Sequence, residues 1–246
     1  MFERPHHRRI AAILHALDAD LLARNACLFG GGTAIALSHG EYRESVDIDF
    51  LVSNPAGYRA LRQLLTGPKG VQAIARAEGL LEAGRPVRAD QYGIRTLLRT
   101  EGNDIKLEIV NEGRIALDPP GENDRLCGVA TLAPVDRVAT KLLANSDRWA
   151  DDAVMSRDLI DLAMMEPGKA LFRQGAAKAT QAYGKSIAAD LAKAIEALRA
   201  RPQRLDRCME ALQMSTVPKA LLWKRIKALK SLGNPPSVAR RLAPGS

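Results

Sequence analysis

A run of glycines followed by two closely spaced aspartates constrains the fold of this chain more than any other feature. The segment CLFGGGTAIALSHGEYRESVDIDFLVS predicts a strand, a glycine turn, a short helix, a loop and a second strand. Side chains alternate faces along a strand, so Asp47 and Asp49 project on the same side. Val46, Ile48 and Phe50 are then predicted to point into the core. The second strand therefore displays a pair of carboxylates.

The carboxylate pair and the glycine turn fit complementary parts of a phosphate-transfer site. Two neighbouring carboxylates repel each other unless a cation lies between them, and Mg2+ takes oxygen ligands and brings substrate phosphates with it. In the turn Gly30-Gly31-Gly32-Thr33, the absence of Cβ atoms lets backbone N–H groups approach a phosphate at a helix N-terminus. Each motif alone has a simpler interpretation, a solvated acidic strand end or a flexible turn. Their combination favours phosphoryl or nucleotidyl transfer.

Length and composition are those of an ordinary globular protein. The chain has 246 residues, of which 46% are hydrophobic and 26% are charged, enough for one large domain or two modest ones. No stretch approaches the roughly 18 apolar residues of a membrane span, so we expect no membrane association. Three scattered cysteines do not suggest a disulfide framework or a zinc site, and a cytoplasmic location is predicted.

The N-terminal segment is predicted to be an amphipathic helix, not a signal peptide. Asp18 and Asp20 would lie on the face opposite its apolar residues. Those apolar residues, at helical spacing, are Ile10, Ile13, Leu14, Leu17 and Leu21.

The net charge of +8 is concentrated at the C-terminus. Residues 199–246 contain eleven Lys and Arg against two acidic residues, a net charge of +9, whereas residues 1–198 have a net charge of −1. Such a block attracts polyanions over a long range. It predicts either a nucleic-acid contact or a solvated helical surface.

Patterns along the chain divide it into an α/β half and a helical half. YRALRQLL and VQAIARAEG read as helices, and QYGIRTLLRT and DIKLEIVNE read as a hairpin with Glu101-Gly102-Asn103 at its tip. Pro119-Pro120-Gly121 marks the predicted boundary between an α/β domain over 1–120 and a helical domain with a basic C-terminal segment over 121–246. Helices are predicted near 134–150, 155–166, 168–183, 185–200, 203–213 and 217–232, and the tail GNPPSVARRLAPGS as irregular.

A third carboxylate would complete a site for phosphoryl or nucleotidyl transfer. In DIKLEIV, Glu108 and Asp104 lie opposite the apolar face of the strand. We predict Glu108 as the third carboxylate because it is in mid-strand, with Asp104 near the turn as the second choice. An ordinary half-exposed strand with a Lys–Glu face remains the alternative.

Charged residues also recur in the predicted helices. Lys141 and Arg148 are seven residues apart and therefore share a helix face. A buried lysine beside a triphosphate would neutralise charge on the phosphates. Arg157 and Asp161 are four apart, so we predict a simple ion pair within one helix.

Several motif blocks, taken in order, resemble the AbiEii/AbiGii-type toxin nucleotidyltransferases of the DNA-polymerase-β-like nucleotidyltransferase superfamily. The resemblance covers about residues 25–165. The blocks are Gly31-Gly32-Thr33-Ala34, Arg43-x-Ser45-x-Asp47-Ile48-Asp49-Phe50, Lys106-Leu107-Glu108-Ile109, Lys141-Leu142-Leu143-Ala144 with Arg148, and Arg157-Asp158-Leu159-Ile160-Asp161-Leu162.

The resemblance implies an α+β fold, in which a polymerase-β-like palm (a mixed sheet flanked by helices) precedes an α-helical C-terminal lobe. It implies the toxin of a toxin–antitoxin or abortive-infection system, restrained by a separate antitoxin protein. The activity it implies is Mg2+-dependent transfer of NMP from an NTP to RNA, notably the 3′ end of tRNA.

Site residues are carried over motif by motif. Asp47, Asp49 and Glu108 match the metal-binding carboxylates, Lys141 the essential helical lysine, and Asp158 or Asp161 the acid of the second lobe. Glu at 108 in place of Asp is a departure from the usual pattern. The catalytic set implied is Asp47, Asp49, Glu108, Lys141 and Asp158, and the nucleotide-binding set is Gly31, Gly32, Thr33, Ser45, Arg148 and Asp161.

Three other functions share these elements. A small-molecule nucleotidyltransferase of the antibiotic-modifying kind has the same glycine and Asp-x-Asp motifs. A non-catalytic RNA-binding or protein-binding module would keep the fold without the chemistry. The same residues are also compatible with transfer of the γ-phosphate to a protein.

Overall fold

A computed structural model describes residues 2–233 of the chain. The helices are α1 (Pro5–Ala16), α2 (Ala19–Arg24), α3 (Gly31–Ser38), α4 (Pro55–Thr66), α5 (Pro134–Arg148), α6 (Arg157–Met165), α7 (Lys169–Tyr183), α8 (Ser186–Ala200), α9 (Arg204–Ala211) and α10 (Lys219–Gly233). The strands are β1 (Leu28–Gly30), β2 (Ile48–Val52), β3 (Arg88–Ala89), β4 (Gly93–Leu98), β5 (Ile105–Asn111), β6 (Arg125–Leu126) and β7 (Val129–Ala130).

The main sheet has the strand order β1-β2-β5-β4-β3 and is mixed. Strands β2 and β5 run parallel at its centre, and the other pairs are antiparallel. The register sets Asp49 opposite Glu108 and Leu51 opposite Val110. Carboxylates predicted from separate segments are thus neighbours on two central strands.

One face of the sheet forms a hydrophobic core with α1, α4 and the short 3-10 helix Gly70–Ile74. Ile48 and Phe50 of β2 and Leu107 and Ile109 of β5 are buried in it. Because alternate residues face opposite ways, this core leaves the intervening polar residues on the other face.

Helices α5 to α10 build a second hydrophobic core. It also takes in Ile35 and Ala36 of α3 and Tyr42 of the following loop. Helix α3 therefore packs between the sheet and the helical lobe, and the glycine turn at its start lies where the two meet.

Much of the predicted organisation is confirmed. The α+β class, the β4–β5 hairpin and the six successive helices after residue 133 are observed. The predicted domain boundary at 120/121 stays a prediction. Ala130 and Leu132 come after this boundary, yet they pack against Leu28 and Leu51 of the main sheet. The predicted irregular tail lies outside the described residues except for its first residue, Gly233, which ends α10. Within residues 2–233, no helix has both the length and the apolar character of a membrane span.

Three local predictions are wrong. The N-terminal helix is divided into α1 and α2, because Asp18 caps α2 by accepting a hydrogen bond from the Leu21 N–H (2.8 Å). In VQAIARAEG only the first four residues are helical, as part of the 3-10 helix Gly70–Ile74. Val46 is 51% exposed, because it precedes β2 and does not share its alternation.

Candidate active site

A cavity of about 560 Å³ lies between the polar face of the sheet and the helical lobe. Its floor is formed by β2 and β5, its roof by α5 and one edge by the start of α3. Of the residues predicted for the site, those on its wall are Gly31, Gly32, Ser45, Asp47, Asp49, Glu108, Lys141 and Arg148. Thr33, Asp158 and Asp161 are not on the wall, and neither is the second-choice carboxylate Asp104.

Asp47 and Asp49 face this cavity together, as alternation predicts. Burial, followed by the charges of Asp47 and Glu108, raises the pKa of Asp49 to about 6. The pair therefore carries negative charge that the protein leaves poorly balanced, which suits a divalent cation.

Glu108 differs from this pair because cations already hold it. Its Oε1 lies 2.6 Å from Nε of Arg95, and its Oε2 lies 2.5 Å from Nζ of Lys106. Burial opposes ionisation, but the hydrogen bonds from Lys106 and Arg95 outweigh it, so the pKa of Glu108 is lowered. Across residues 2–233, no group of three or more His, Cys, Asp or Glu is arranged to hold a metal ion. The geometry favours Asp47 and Asp49 as the cation-binding pair.

The glycine turn requires glycine for two reasons. Gly31 has a φ of +66°, and a Cβ atom there would collide with the Asp49 carboxylate. A Cβ atom on Gly32 would collide with the Arg43 guanidinium. The helix α3 begins at Gly31, so unpaired N–H groups of its first turn lie beside the two aspartates.

Thr33 supports the aspartates from behind. Its buried hydroxyl donates to the carbonyl oxygen of Asp47 (2.5 Å) and lies 2.8 Å from the hydroxyl oxygen of Ser45. The Thr33 side chain thereby fixes the backbone from which the Asp47 carboxylate projects.

Lys141 is buried and held by two aspartates of α6. Its Nζ lies 3.0 Å from Oδ1 of Asp158 and 2.7 Å from Oδ2 of Asp161. Arg148 also binds Asp158, with Nε 2.6 Å from Oδ2. Burial opposes ionisation of Asp158, but Lys141 and Arg148 hold its pKa well below the ordinary value. Asp158 and Asp161 therefore position cations and are themselves fully paired.

The predicted pair between Arg157 and Asp161 is not formed. Asp161 is fully buried and accepts hydrogen bonds from Arg43 Nε (2.7 Å) and the Tyr42 hydroxyl (2.6 Å). Arg157 is exposed and lies on the cavity wall. Asp161 thus links the loop before β2 to the helical lobe, a contact that helical spacing cannot reveal.

His7 is a site-supporting residue that the sequence analysis missed. It is fully buried on α1, with Nδ1 2.7 Å from Oε1 of Glu41 and Nε2 3.1 Å from the Ser45 nitrogen. Because a backbone N–H can only donate, Nε2 is the acceptor, and Nδ1 carries the proton that binds Glu41. Burial lowers the pKa of His7. The adjacent pair His6-His7 lacks metal-ligand spacing, and no other sequence signal marked this residue.

A second missed group lies at the far end of the cavity. Arg114 binds both carboxylate oxygens of Glu112, with Nε 3.0 Å from Oε1 and NH2 2.7 Å from Oε2. Its NH1 lies 2.8 Å from Oδ2 of Asp147, and the Tyr183 hydroxyl donates to Oδ1 of Asp147 (2.7 Å). This group connects the end of β5 to α5 and α7.

The chain matches a family of known proteins over most of its length. The profile of a family described as nucleotidyl transferase AbiEii toxin, type IV toxin–antitoxin system, matches residues 13–240. A search of proteins of curated function gives no match. Two solved Helicobacter pylori structures are similar in outline: a "putative nucleotidyltransferase", with 19% identity over 92% of this chain and 93% of that one and a TM-score of 0.48, and JHP933, with 18% identity over 94% of each chain and a TM-score of 0.47.

Proposed function

Since this chain belongs to the AbiEii family of nucleotidyltransferase toxins, we propose that it transfers NMP from an NTP to the 3′ end of RNA, with tRNA as the acceptor. Family membership makes the protein a nucleotidyltransferase of a type IV toxin–antitoxin system, with an NTP as substrate and an antitoxin as partner. The mixed sheet with its helical lobe is the polymerase-β-like fold that the motifs imply. A tRNA acceptor would place the reaction in the cytoplasm.

The observation that carries this proposal is the unbalanced carboxylate pair beside the glycine turn. Asp47 and Asp49 share a cavity wall with Gly31 and Gly32, and burial and like charge raise the pKa of Asp49. Nucleotidyltransferases generally use a divalent metal, and Asp47 and Asp49 would hold Mg2+ here. When bound, the ion would supply positive charge to the phosphates as negative charge develops on them.

The chain's own residues bind and orient the triphosphate. Backbone N–H groups at Gly31 and Gly32 donate to phosphate oxygens. Lys141 and Arg148, positioned by Asp158, offset the charge of the departing pyrophosphate. In this assignment Asp158 and Asp161 act through the cations and do not touch the nucleotide.

Glu108 is assigned to the acceptor. A glutamate carboxyl is ionised at neutral pH, and Lys106 and Arg95 lower its pKa further. The carboxylate accepts a hydrogen bond from an RNA 3′-hydroxyl and takes its proton as the hydroxyl oxygen attacks. The hydroxyl oxygen forms a bond to the α-phosphorus, and the bond to pyrophosphate breaks in line.

An RNA acceptor is favoured by the surface of the helical lobe. Exposed basic side chains follow one another along α9 and α10, and acidic residues are few in this part of the sequence. Basic surfaces of this kind bind nucleic-acid phosphates with counterion release. The exposed cations are Arg207, Lys219, Lys224, Lys227 and Lys230.

The test is transfer of label from each α-32P-labelled NTP to total tRNA in the presence of Mg2+. We expect labelled tRNA with one preferred NTP and none with the Asp47→Ala/Asp49→Ala variant. Asp104→Ala is the matched control, because Asp104 is an exposed carboxylate away from the cavity. Label on no RNA with any NTP would contradict the proposal and favour a small-molecule acceptor or a protein target. Salt-sensitive RNA binding that needs neither Mg2+ nor Asp47 would indicate a binding module.

A further inference from the structure

Three successive rows of side chains cross the cavity floor. Asp49 and Glu108 form the first row, and Leu51 and Val110, also directly opposite each other, form the second. The third row is Glu112, whose N–H donates to the carbonyl oxygen of Val52 (2.8 Å). Rows two residues apart on a strand are separated by about 7 Å. The floor therefore changes from anionic to apolar and then to charged within about 13 Å.

The apolar row shares its cavity with two small residues of α5. The hydroxyl of Thr140 donates to the Asp136 carbonyl oxygen (2.7 Å). Thr140 and Ala144 line the same cavity as Leu51 and Val110. We call the space bounded by these four residues the base slot. Small side chains on the helix leave room above the aliphatic floor, which suits a flat apolar ligand surface.

The two ends of the cavity differ. Beyond the base slot, Arg114 joins Glu112 to Asp147 of α5 and also approaches the Tyr183 hydroxyl of α7 (3.4 Å). These bonds bridge the sheet and the helical lobe. At the opposite end Val46 is 51% exposed. Within residues 2–233 the Val46 end therefore lacks such a bridge from the sheet to the helical lobe, whereas ion pairs span the Arg114 end, although the side chains of Arg114 and Asp147 are 35% and 43% exposed.

From this arrangement we propose that the base slot receives the nucleobase of the donor NTP and that Arg114 selects among bases. This inference rests on the proposed function, because phosphates at the carboxylate row place the sugar and base farther along the floor. A guanidinium has five N–H donors and no acceptor. Three donors of Arg114 bind carboxylate oxygens. Within residues 2–233 the second N–H of NH2 has no partner, and it can donate to a carbonyl or ring nitrogen on the base edge.

Filling the slot tests where the base binds. We would measure dissociation constants by calorimetry, with Mg2+, for the four NTPs and for inorganic tripolyphosphate. Val110→Phe places a ring in the slot, so we expect NTP affinity to fall at least tenfold and tripolyphosphate affinity to change less than twofold. The matched control Val46→Phe adds the same volume at the open end and should change NTP affinity less than threefold. Weaker NTP binding by Val46→Phe, with unchanged binding by Val110→Phe, would overturn the proposal.

A second variant tests selection and does not depend on packing of the slot. Arg114→Met combined with Glu112→Gln removes the donors without leaving a buried carboxylate unpaired. We expect the ratio of the best to the worst NTP dissociation constant to fall at least tenfold, with tripolyphosphate binding unchanged. An unchanged ratio, or a wild-type protein that binds all four NTPs equally, would overturn the role of Arg114. If NTP binding is unaltered in both variants and the transfer of label to tRNA is reduced, the slot holds the acceptor base and the proposal is wrong.

These measurements separate the inference from the proposed function. Binding constants are obtained without an acceptor, so base selection by the slot can be found even if the wild-type protein labels no tRNA. The converse result is a wild-type protein that labels tRNA and two variants that keep the NTP affinities and selectivity of the wild type. That result would support the proposed transferase function and contradict the base slot.

Discussion

Arg43 and Asp161 are 118 residues apart in the chain and form a buried two-pronged ion pair, with Nε 2.7 Å from Oδ1 and NH2 3.0 Å from Oδ2. Arg43 lies in the loop that leads to Asp47, and Asp161 lies on α6. The guanidinium also donates to the carbonyl oxygen of Glu44 (2.8 Å). The pair therefore ties the loop before the aspartates to the helical lobe.

Replacing Arg43 with Met should destabilise the fold. The change leaves the fully buried Asp161 carboxylate with one cation, Lys141, where it had two. Breaking a buried pair from one side costs about 3 kcal/mol. Urea unfolding at pH 7.5 measures this loss. Arg157→Met is the control, since Arg157 is exposed, and it should change the free energy of unfolding by less than about 0.5 kcal/mol. Equal effects of the two substitutions would contradict the assignment.

Asp49→Asn should stabilise the metal-free protein while abolishing transfer. Folding raises the pKa of Asp49 to about 6, so the folded protein holds this proton more tightly than the unfolded chain does. The free energy of unfolding of the wild type is therefore highest below about pH 4 and decreases as the pH rises through 6. At pH 7.5 the Asp49→Asn variant avoids this loss and should be more stable than the wild type by about 3 kcal/mol. The difference should vanish near pH 4. Urea unfolding at both pH values measures it.

The same variant reports on the metal. Saturating Mg2+ should raise the free energy of unfolding of the wild type at pH 7.5 and leave that of Asp49→Asn unchanged, because ligand binding stabilises only the state that binds. Asp104→Asn, at an exposed carboxylate, should behave like the wild type. An Asp49→Asn protein less stable than the wild type at pH 7.5 would refute the charge argument.

Gly31→Ala should inactivate the enzyme, and Gly40→Ala should not. Both glycines have positive φ, +66° and +73°, so each alanine costs about 1 kcal/mol in backbone strain. Only at Gly31 does the new methyl group collide with the Asp49 carboxylate, since nothing lies within 4 Å of a Cβ atom at Gly40. A misplaced catalytic group costs about 100-fold in rate. Comparable kcat/KM values for the two variants would contradict this prediction.

His7 should make stability depend on pH. Folding lowers the pKa of His7 through burial. The neutral His7 side chain therefore contributes fully to the free energy of unfolding above about pH 6.5, and this contribution is lost as the pH falls through the pKa of His7 in the folded protein. Protonated Nε2 can no longer accept the Ser45 N–H. His7→Gln should cost about 1 to 2 kcal/mol at pH 7.5, and the gap to the wild type should narrow at pH 5.5. His15→Gln, at an exposed position on α1, is the control. A difference in the free energy of unfolding between wild type and His7→Gln that is larger at pH 5.5 than at pH 7.5 would contradict the lowered pKa of His7.

Some of the candidate site could be predicted because its rules are local. Alternation along single strands placed Asp47, Asp49 and Glu108 on a polar face, and a seven-residue spacing placed Lys141 and Arg148 on one side of α5. Both rules need only a few neighbouring residues. The roles of these residues in catalysis remain predictions.

Other parts could not be predicted from local patterns. Helical spacing suggested Arg157 as the partner of Asp161, whereas the partner is Arg43 from a distant loop. His7 and Arg114 carried no recognisable motif, because each acts through contacts made only after remote segments pack together. Val46 was misplaced because strand alternation was extended two residues before the start of β2 at Ile48.

The sequence by itself determined the α+β class, the longer helices and strands other than the N-terminal helix, and the faces that carry the carboxylates, because hydrophobic periodicity and glycine conformational freedom act over a few residues. Only the tertiary structure decided which charges neutralise each other. It assigned Lys141, Arg43 and Arg148 to the buried aspartates of α6, whereas Asp47 and Asp49 have no such partner among residues 2–233. The physical reason is that the energy of a charge depends on its burial and on groups brought near by the whole fold.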